Sequence, residues 1–188
     1  MCGRFSFLAT DKIIEERLEI HNSNYTPRYN CAPGQNIAII TNINPFAFEY
    51  FKWGLLPRWP KNSSYANKFI NTKAETIFEK PIFKEIVKRN RCLVPADSFF
   101  EWSNVKSKIP YRFSLNDTDV FCMAGIWDTV QSLSVELINT FSIIMGANDF
   151  VKQIHNRMPV ILENKKSENL WIQNGVHHEV LSVLIPIA

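Results

Sequence analysis

Short runs of apolar residues, either continuous or alternating with polar ones, account for most of the regular pattern in this chain. Runs rich in β-branched and aromatic residues predict strands at residues 2–8, 36–41, 46–53, 91–95, 99–102, 111–115, 120–127 and 137–145. Residues 25–35 contain two prolines and a glycine among polar residues, a composition typical of a loop. Several strands with few helices between them predict a largely antiparallel, barrel-like sheet.

Helical spacing of apolar residues is confined to four segments. Thr10 is a suitable N-cap for a helix over residues 11–20, and Pro81 is placed to open a helix over residues 82–90. Residues 163–174 and 177–184 predict two further helices. The chain contains no internal repeat and no domain boundary, so we predict a single α+β domain over residues 1–188, with a barrel-like β core and flanking helices.

Composition and charge permit nucleic-acid binding without requiring it. The chain has 188 residues, 46% of them hydrophobic, with 14 Phe, 5 Trp and 5 Tyr, and aromatic side chains serve either a sheet-rich core or base stacking. The formal net charge of +3 is well below that of a dedicated nucleic-acid coat protein. The sequence has neither an apolar run long enough for a membrane span nor a secretory leader. We therefore expect an intracellular protein, cytoplasmic or, in a eukaryote, nuclear.

The four cysteines are widely spaced and include no C-x-x-C pair. They are Cys2, Cys31, Cys92 and Cys122. This spacing argues against a zinc site and against a disulfide scaffold, and we expect neither a metal nor a cofactor. Cys2 differs from the other three because it follows the initiator methionine.

Removal of Met1 would give Cys2 both an α-amine and a thiol. With ordinary pKa values of about 8 for the amine and about 8.5 for the thiol, both groups have a nucleophilic fraction near neutral pH. The amine can form a Schiff base with an aldehyde, and the thiol can then close a five-membered thiazolidine ring. By position alone, an incidental cysteine at a processed or buried N-terminus is the commoner case.

Three polar residues are candidate partners for this nucleophile, and each has an ordinary alternative. Asn71 precedes a helix-like pattern, where a cap or turn residue is common. Glu101 lies in an apolar strand, where alternation directs it away from Phe100 and Trp102, and a carboxylate there can simply face water. His155 carries an imidazole suited to proton transfer, although a histidine at the end of an element is often a cap or a surface residue.

A cation lies two residues after each of three candidate groups. These cations are Arg4, Lys73 and Arg157. In an extended segment this spacing keeps the cation on the same face as the candidate group. The arrangement suits a substrate that carries phosphates; the alternative is a scattered set of surface charges.

Seven short motifs occur in order between residues 1 and 162. They are MCGRF (1–5), RYNCAP (28–33), WGLLPRW (53–59), NTKAET (71–76), RCLVPADSFFEW (91–102), AGIW (124–127) and IHNRMPVIL (154–162). In this order they resemble the SRAP family, the SOS response-associated peptidase fold whose members process abasic sites in DNA. The ordered set is far more specific than any one motif.

The resemblance implies a role for each candidate residue. Cys2 would form a thiazolidine with the aldehyde of a ring-opened abasic sugar, and Asn71 would position the sugar and the amine. Glu101 and His155 would move protons during ring opening and closure. The positions that match DNA-binding positions of the family are Arg4, Asn30, Trp59, Lys73 and Arg157. The implied partner is single-stranded DNA that contains abasic sites, bound by a monomer without a membrane or a metal.

The chain departs from the family pattern at three points. Lys73 occupies a position where the family usually has arginine, and lysine lacks the planar fork that holds a phosphate. Ser98 replaces a common glycine. The chain ends at Ala188, before a further C-terminal strand that family members commonly carry, so this strand is expected to be missing.

The leading hypothesis is a DNA-damage response protein that crosslinks covalently to abasic sites in single-stranded DNA and shields them from cleavage. In this view it is an enzyme, with peptidase-like, autoproteolytic chemistry at its own N-terminus and lyase-like chemistry at the abasic site. Two alternatives stay open. One is a cysteine peptidase that acts on other proteins, and the other is a non-enzymatic single-stranded DNA binding module in which Cys2 is incidental.

Overall fold

The structure, a computed structural model, describes residues 2–56, 69–103, 108–116, 118–131, 136–148, 151, 154–173, 180 and 182–184. The strands are β1 (Arg4–Phe7), β2 (Arg28–Cys31), β3 (Asn36–Thr41), β4 (Glu49–Trp53), β5 (Asn71–Lys73), β6 (Arg91–Ala96), β7 (Ser98–Trp102), β8 (Pro110–Phe113), β9 (Phe121–Gln131), β10 (Leu137–Ala147), β11 (Arg157–Pro159) and β12 (Ile161–Leu162). The helices are α1 (Asp11–Leu18), α2 (Pro81–Arg89) and α3 (Lys165–Ile172), and a 3-10 turn covers Ala74–Thr76. No helix within the described ranges has the length and apolar character to cross a membrane.

Five strands close into a barrel. β10 pairs antiparallel with β9, β9 with β6, β6 with β3 and β3 with β4, and β4 returns to β10 in parallel. Every residue of β6 is buried, as expected for a strand with apolar surroundings on both faces. The short strands β5 and β11 pair with β10, and β12 pairs with β9. The predicted α+β fold with a largely antiparallel, barrel-like core is confirmed.

A second sheet has four antiparallel strands in the order β2-β1-β7-β8, and β1 contacts β6 of the barrel. Its inner face carries a row of cross-strand partners, Phe5, Phe99 and Phe113. The rings of Phe99 and Phe113 stack with their centroids 5.1 Å apart. The prediction of a loop over residues 25–35 is wrong for Arg28–Cys31, because this segment forms the edge strand β2 by pairing with the distant β1.

Helices α1, α2 and α3 bury one apolar cluster together with strands of the barrel. The predicted cap of α1 is confirmed, since Thr10 Oγ1 accepts a hydrogen bond from the Ile13 backbone nitrogen at 3.4 Å. Pro81 occupies the first turn of α2, as predicted. Of the predicted helix over 177–184, only residues 180 and 182–184 are described, and the last four residues of the chain lie outside the described ranges.

Arg91, the first residue of β6, holds two helix ends together. It is only 2% exposed. Its guanidinium donates to the backbone carbonyl oxygens of Val87 in α2 at 2.8 Å and of Trp171 in α3 at 2.5 Å. Carbonyl groups at helix C-termini carry partial negative charge, so a buried cation is stabilised there without a carboxylate.

Candidate active site

The side chain of Cys2 is fully buried just before β1. It belongs to the apolar cluster that also contains Phe5 and Trp53, and its thiol donates to the Arg4 carbonyl oxygen at 3.5 Å. Burial raises the pKa of the Cys2 thiol to about 12, and the negative charge of Glu101 adds to the rise. The expectation of a thiolate fraction near neutral pH concerns the chain without Met1 and stays a prediction; while Met1 is present, burial keeps the Cys2 thiol protonated.

Asn71 is hydrogen-bonded to the backbone of Cys2. It begins β5, which pairs in parallel with β10 through Ile143, so it is a strand residue and not a helix cap. Its Nδ2 donates to the Cys2 carbonyl oxygen at 2.8 Å. Its Oδ1 is buried and has no hydrogen-bond partner among the described residues. Asn71 therefore holds the backbone of Cys2 and leaves one acceptor open beside it.

Glu101 lies on the inner face of the four-stranded sheet. Its strand alternates as predicted, so Phe99 and Glu101 are buried while Trp102 is exposed. At 2% exposure, Glu101 does not face water. Burial raises the pKa of the Glu101 carboxyl, while the positive charges of the chain's amino terminus and of His155 act in the opposite direction. The charge of Glu101 thus acts on the Cys2 thiol, and the charge of His155 acts on the Glu101 carboxyl.

His155 lies just before β11, and Arg157 is the first residue of that strand. His155 Nδ1 lies 3.2 Å from the backbone nitrogen of Arg157. The Arg157 guanidinium donates to the carboxylate of Glu75, a residue that the sequence analysis did not single out. Burial opposes ionisation of Glu75, but the Arg157 hydrogen bond and nearby cations together lower the pKa of its carboxyl. The signal for Glu75 was its place in the NTKAET motif, directly after Asn71 and Lys73.

The predicted DNA-binding residues differ in solvent exposure. Asn30 and Lys73 are exposed on β2 and β5, while Arg4 and Arg157 are partly buried. Arg4 donates to the Gly3 carbonyl oxygen at 2.7 Å. Trp59 lies outside the described residues.

The four predicted catalytic residues form one connected group, although they come from distant parts of the sequence. A hydrogen bond links Asn71 to Cys2, and charge interactions link Glu101 to Cys2 and His155 to Glu101. The group contains a thiol, a carboxyl with a raised pKa, an imidazole and an amide, which is a set suited to proton-coupled covalent chemistry. Within the described ranges, no group of three His, Cys, Asp or Glu residues is arranged to hold a metal ion.

Comparison with known proteins identifies the family. Residues 1–187 match the SOS response associated peptidase (SRAP) family. The chain belongs to the SRAP family. It is 39% identical to the abasic site processing protein YobE of Bacillus subtilis, over 99% of this chain and 89% of that protein. It is 38% identical to the abasic site processing protein YoaM of the same organism, over 99% of this chain and 86% of the relative.

A solved crystal structure has the same fold. A crystal structure of a protein from Bacteroides thetaiotaomicron superimposes with a TM-score of 0.85 at 31% identity, and the match covers 100% of this chain and 88% of the other. The barrel, the four-stranded sheet and the flanking helices thus form a fold that is also found in a solved structure. The first motif of the family places Cys2 at the buried junction between this sheet and the barrel.

Proposed function

We propose that this SRAP protein captures abasic sites in single-stranded DNA as a covalent thiazolidine on Cys2 after Met1 has been removed, and so shields them from strand cleavage. The observation that carries the proposal is the open acceptor of Asn71, buried beside the Cys2 backbone. Leaving a buried acceptor unmatched costs about 1–3 kcal/mol, and a substrate that brings a donor removes that cost. The relatives named abasic site processing proteins supply the substrate class.

The proposed reaction begins when the α-amine of Cys2 attacks the C1′ aldehyde of the ring-opened sugar. Loss of one water gives a Schiff base. The thiol then adds to the imine carbon, a C–S bond forms, and the thiol proton passes to the nitrogen. The product is a thiazolidine, and no oxidant or reductant is consumed. Asn71 Oδ1 accepts a hydrogen bond from the amine or from a sugar hydroxyl in this scheme.

Glu101 and His155 supply the proton transfers. A carboxyl whose pKa is raised by burial is a better general acid near neutral pH than an exposed one, which suits protonation of the departing water. The thiol of Cys2 must lose its proton when it attacks the imine, and Glu101 is the nearby base whose charge already acts on that thiol. His155, coupled to Glu101 by charge, relays protons to the sugar oxygen.

The DNA strand is proposed to lie along the cations that surround this group. Arg4, Lys73 and Arg157 would contact phosphates, Asn30 would add a polar contact, and Trp59 would pack against bases. Arg157 must exchange part of its contact with Glu75 for a phosphate. We propose that one copy of the chain is sufficient, because all four catalytic candidates come from the same chain.

The test is a crosslinking assay with a single-stranded oligonucleotide that carries one abasic site. Met1-free protein should give a shifted band that survives denaturation, whereas Cys2→Ala and a chain that retains Met1 should not. An intact oligonucleotide of the same sequence is the matched control and should give no such band. The proposal is abandoned if the Met1-free protein, shown by binding to be folded, leaves the abasic oligonucleotide unshifted.

A second candidate function is removal of the protein's own Met1 by the same residues. It is favoured by the interaction between Glu101 and the charge of the chain's amino terminus. When methionine aminopeptidase is inhibited during expression, self-removal predicts that the wild type still loses Met1, whereas Glu101→Gln retains it. Equal retention in both proteins, measured by intact mass, would exclude self-removal. Turnover of unrelated peptides by the purified protein would instead extend the activity to other proteins.

A further inference from the structure

The outer face of the four-stranded sheet carries a row of alternating cation, aromatic ring and cation. Arg4 of β1 is the cross-strand partner of Phe100 in β7, and Phe100 is the partner of Arg112 in β8. Direct partners in antiparallel strands project from the same face. This row is therefore opposite to the buried row of Phe5, Phe99 and Phe113, and Trp102 extends the same face with 37% of its surface exposed.

Arg112 is held in place on this face instead of moving freely. Its Nε donates to Ser98 Oγ at 2.9 Å, and its Nη2 donates to Asp97 Oδ1 at 3.2 Å. Ser98 and Asp97 are fixed in turn, because the Ser6 hydroxyl lies 2.5 Å from Ser98 Oγ and donates to Asp97 Oδ1 at 2.6 Å. One edge of the guanidinium is thus bound to the protein.

The other edge of the guanidinium faces solvent. The Arg112 side chain is 58% exposed. Its Nη1 has no hydrogen-bond partner within the described part of the chain. An arginine fixed along one edge loses little conformational freedom when its remaining donors bind a phosphate, and its planar fork matches phosphate oxygens.

We propose, on the basis of the proposed function, that Arg112 is a further phosphate-binding residue, positioned by Ser98, and that it extends the path of single-stranded DNA across the outer sheet face. Neighbouring strands of the sheet are about 4.8 Å apart, so the Cα atoms of Arg4 and Arg112 lie about 10 Å apart, with Phe100 on the strand between them. Two cations with an aromatic ring between them match a strand in which phosphates alternate with stackable bases. Trp102 offers a second ring along the same face.

The experiment measures binding and crosslinking separately for Arg112→Ala, Ser98→Ala and Arg89→Ala. Arg89 is the matched control, an exposed arginine at the end of α2, a helix that packs on β6 and β9. Binding is measured by fluorescence anisotropy with an intact single-stranded oligonucleotide at several salt concentrations. Crosslinking to the abasic oligonucleotide is measured as a rate at half-saturating and at saturating DNA.

Arg112→Ala should weaken binding several-fold and reduce the slope of log affinity against log salt by about 0.7, because one phosphate contact is lost. Ser98→Ala should weaken binding less and leave the slope unchanged, because the charge stays while its orientation is freed. The crosslinking rate at saturating DNA should be unchanged in both variants. Arg89→Ala should match the wild type.

Equal affinity and equal salt slope in Arg112→Ala and Arg89→Ala would overturn the proposal. A reduced crosslinking rate of Arg112→Ala at saturating DNA would overturn it as well, because the residue would then act on the reaction centre and not on the strand. Failure of the proposed function gives a different result, since the wild type itself would then form no crosslink at any DNA concentration.

Discussion

The buried thiol of Cys2 leads to a quantitative prediction about its reactivity before Met1 is removed. Burial and the Glu101 charge raise the pKa of this thiol from 9.0 to about 12. Only the thiolate is alkylated at an appreciable rate, and below the pKa each unit of increase lowers the thiolate fraction tenfold. The three-unit rise therefore lowers the thiolate fraction about 10³-fold at pH 8, and the greater nucleophilicity of a more basic thiolate leaves alkylation at least about 30-fold slower, before any steric protection is counted.

The assay uses a chain that retains Met1, produced with methionine aminopeptidase inhibited, and follows iodoacetamide labelling of Cys2 by peptide mass spectrometry. The same chain unfolded in guanidinium gives the reference rate. Cys31 is an internal comparator, because burial raises the pKa of its thiol to about 12 as well. Native Cys2 should react at least about 30-fold more slowly than the unfolded chain at pH 8. A native rate within about tenfold of the unfolded rate would refute the account of a protonated, enclosed thiol.

Three further predictions concern stability. Gly125→Ala would place a Cβ atom 2.8 Å from Cys92 Sγ, which should lower the free energy of unfolding by about 1–3 kcal/mol and lower the Tm. Adding Cys92→Ala should restore part of that free energy. An unchanged Tm of Gly125→Ala would contradict the contact. Arg91→Met should lower the free energy of unfolding, measured in urea, by at least about 2 kcal/mol, because the buried carbonyl groups at the helix ends lose their hydrogen-bond donor. A loss below about 0.5 kcal/mol would be inconsistent with Arg91 joining the two helix ends. The pKa of Glu101 is higher in the folded protein than in the unfolded chain, where it is about 4.3. The stabilisation from the protonated carboxyl is therefore fully present below about pH 4.3 and is lost as the pH rises through the pKa of the folded protein. Glu101→Gln should therefore gain stability relative to the wild type between pH 4 and pH 8, and a constant difference would contradict the raised pKa.

Much of the fold follows from local sequence patterns. The cap at Thr10, the opening of α2 at Pro81 and the continuous apolar run of β6 each have a local cause, and each is found in the structure. The edge strand β2 was missed because two of its four residues are exposed polar or aromatic side chains and its pairing partner is distant in sequence. Strand β9 extends beyond its predicted end because residues 128–131 pair with the start of β10, and β10 extends beyond its predicted end because Gly146 and Ala147 pair with β11.

The sequence singled out the residues of the candidate site, but it did not show how their side chains are buried or hydrogen-bonded. Position alone singled out Cys2, and the ordered motifs added its three partners. The sequence could not indicate that the thiol is enclosed, because its burial arises where the four-stranded sheet meets the barrel. Nor could it show that Asn71 uses one end of its amide and leaves the other open, since that depends on the parallel pairing of β5 with β10.

The central claim is that the amine and the thiol of Cys2 together bind one aldehyde carbon. Its most direct test compares Met1-free wild type with Cys2→Ser on abasic single-stranded DNA, with and without borohydride, on a denaturing gel. The wild type should give a stable crosslink without reductant, because the thiazolidine is closed by the thiol. Cys2→Ser should give a stable band only with borohydride, which traps the Schiff base of the amine. An equally stable band from Cys2→Ser without borohydride would contradict the claim.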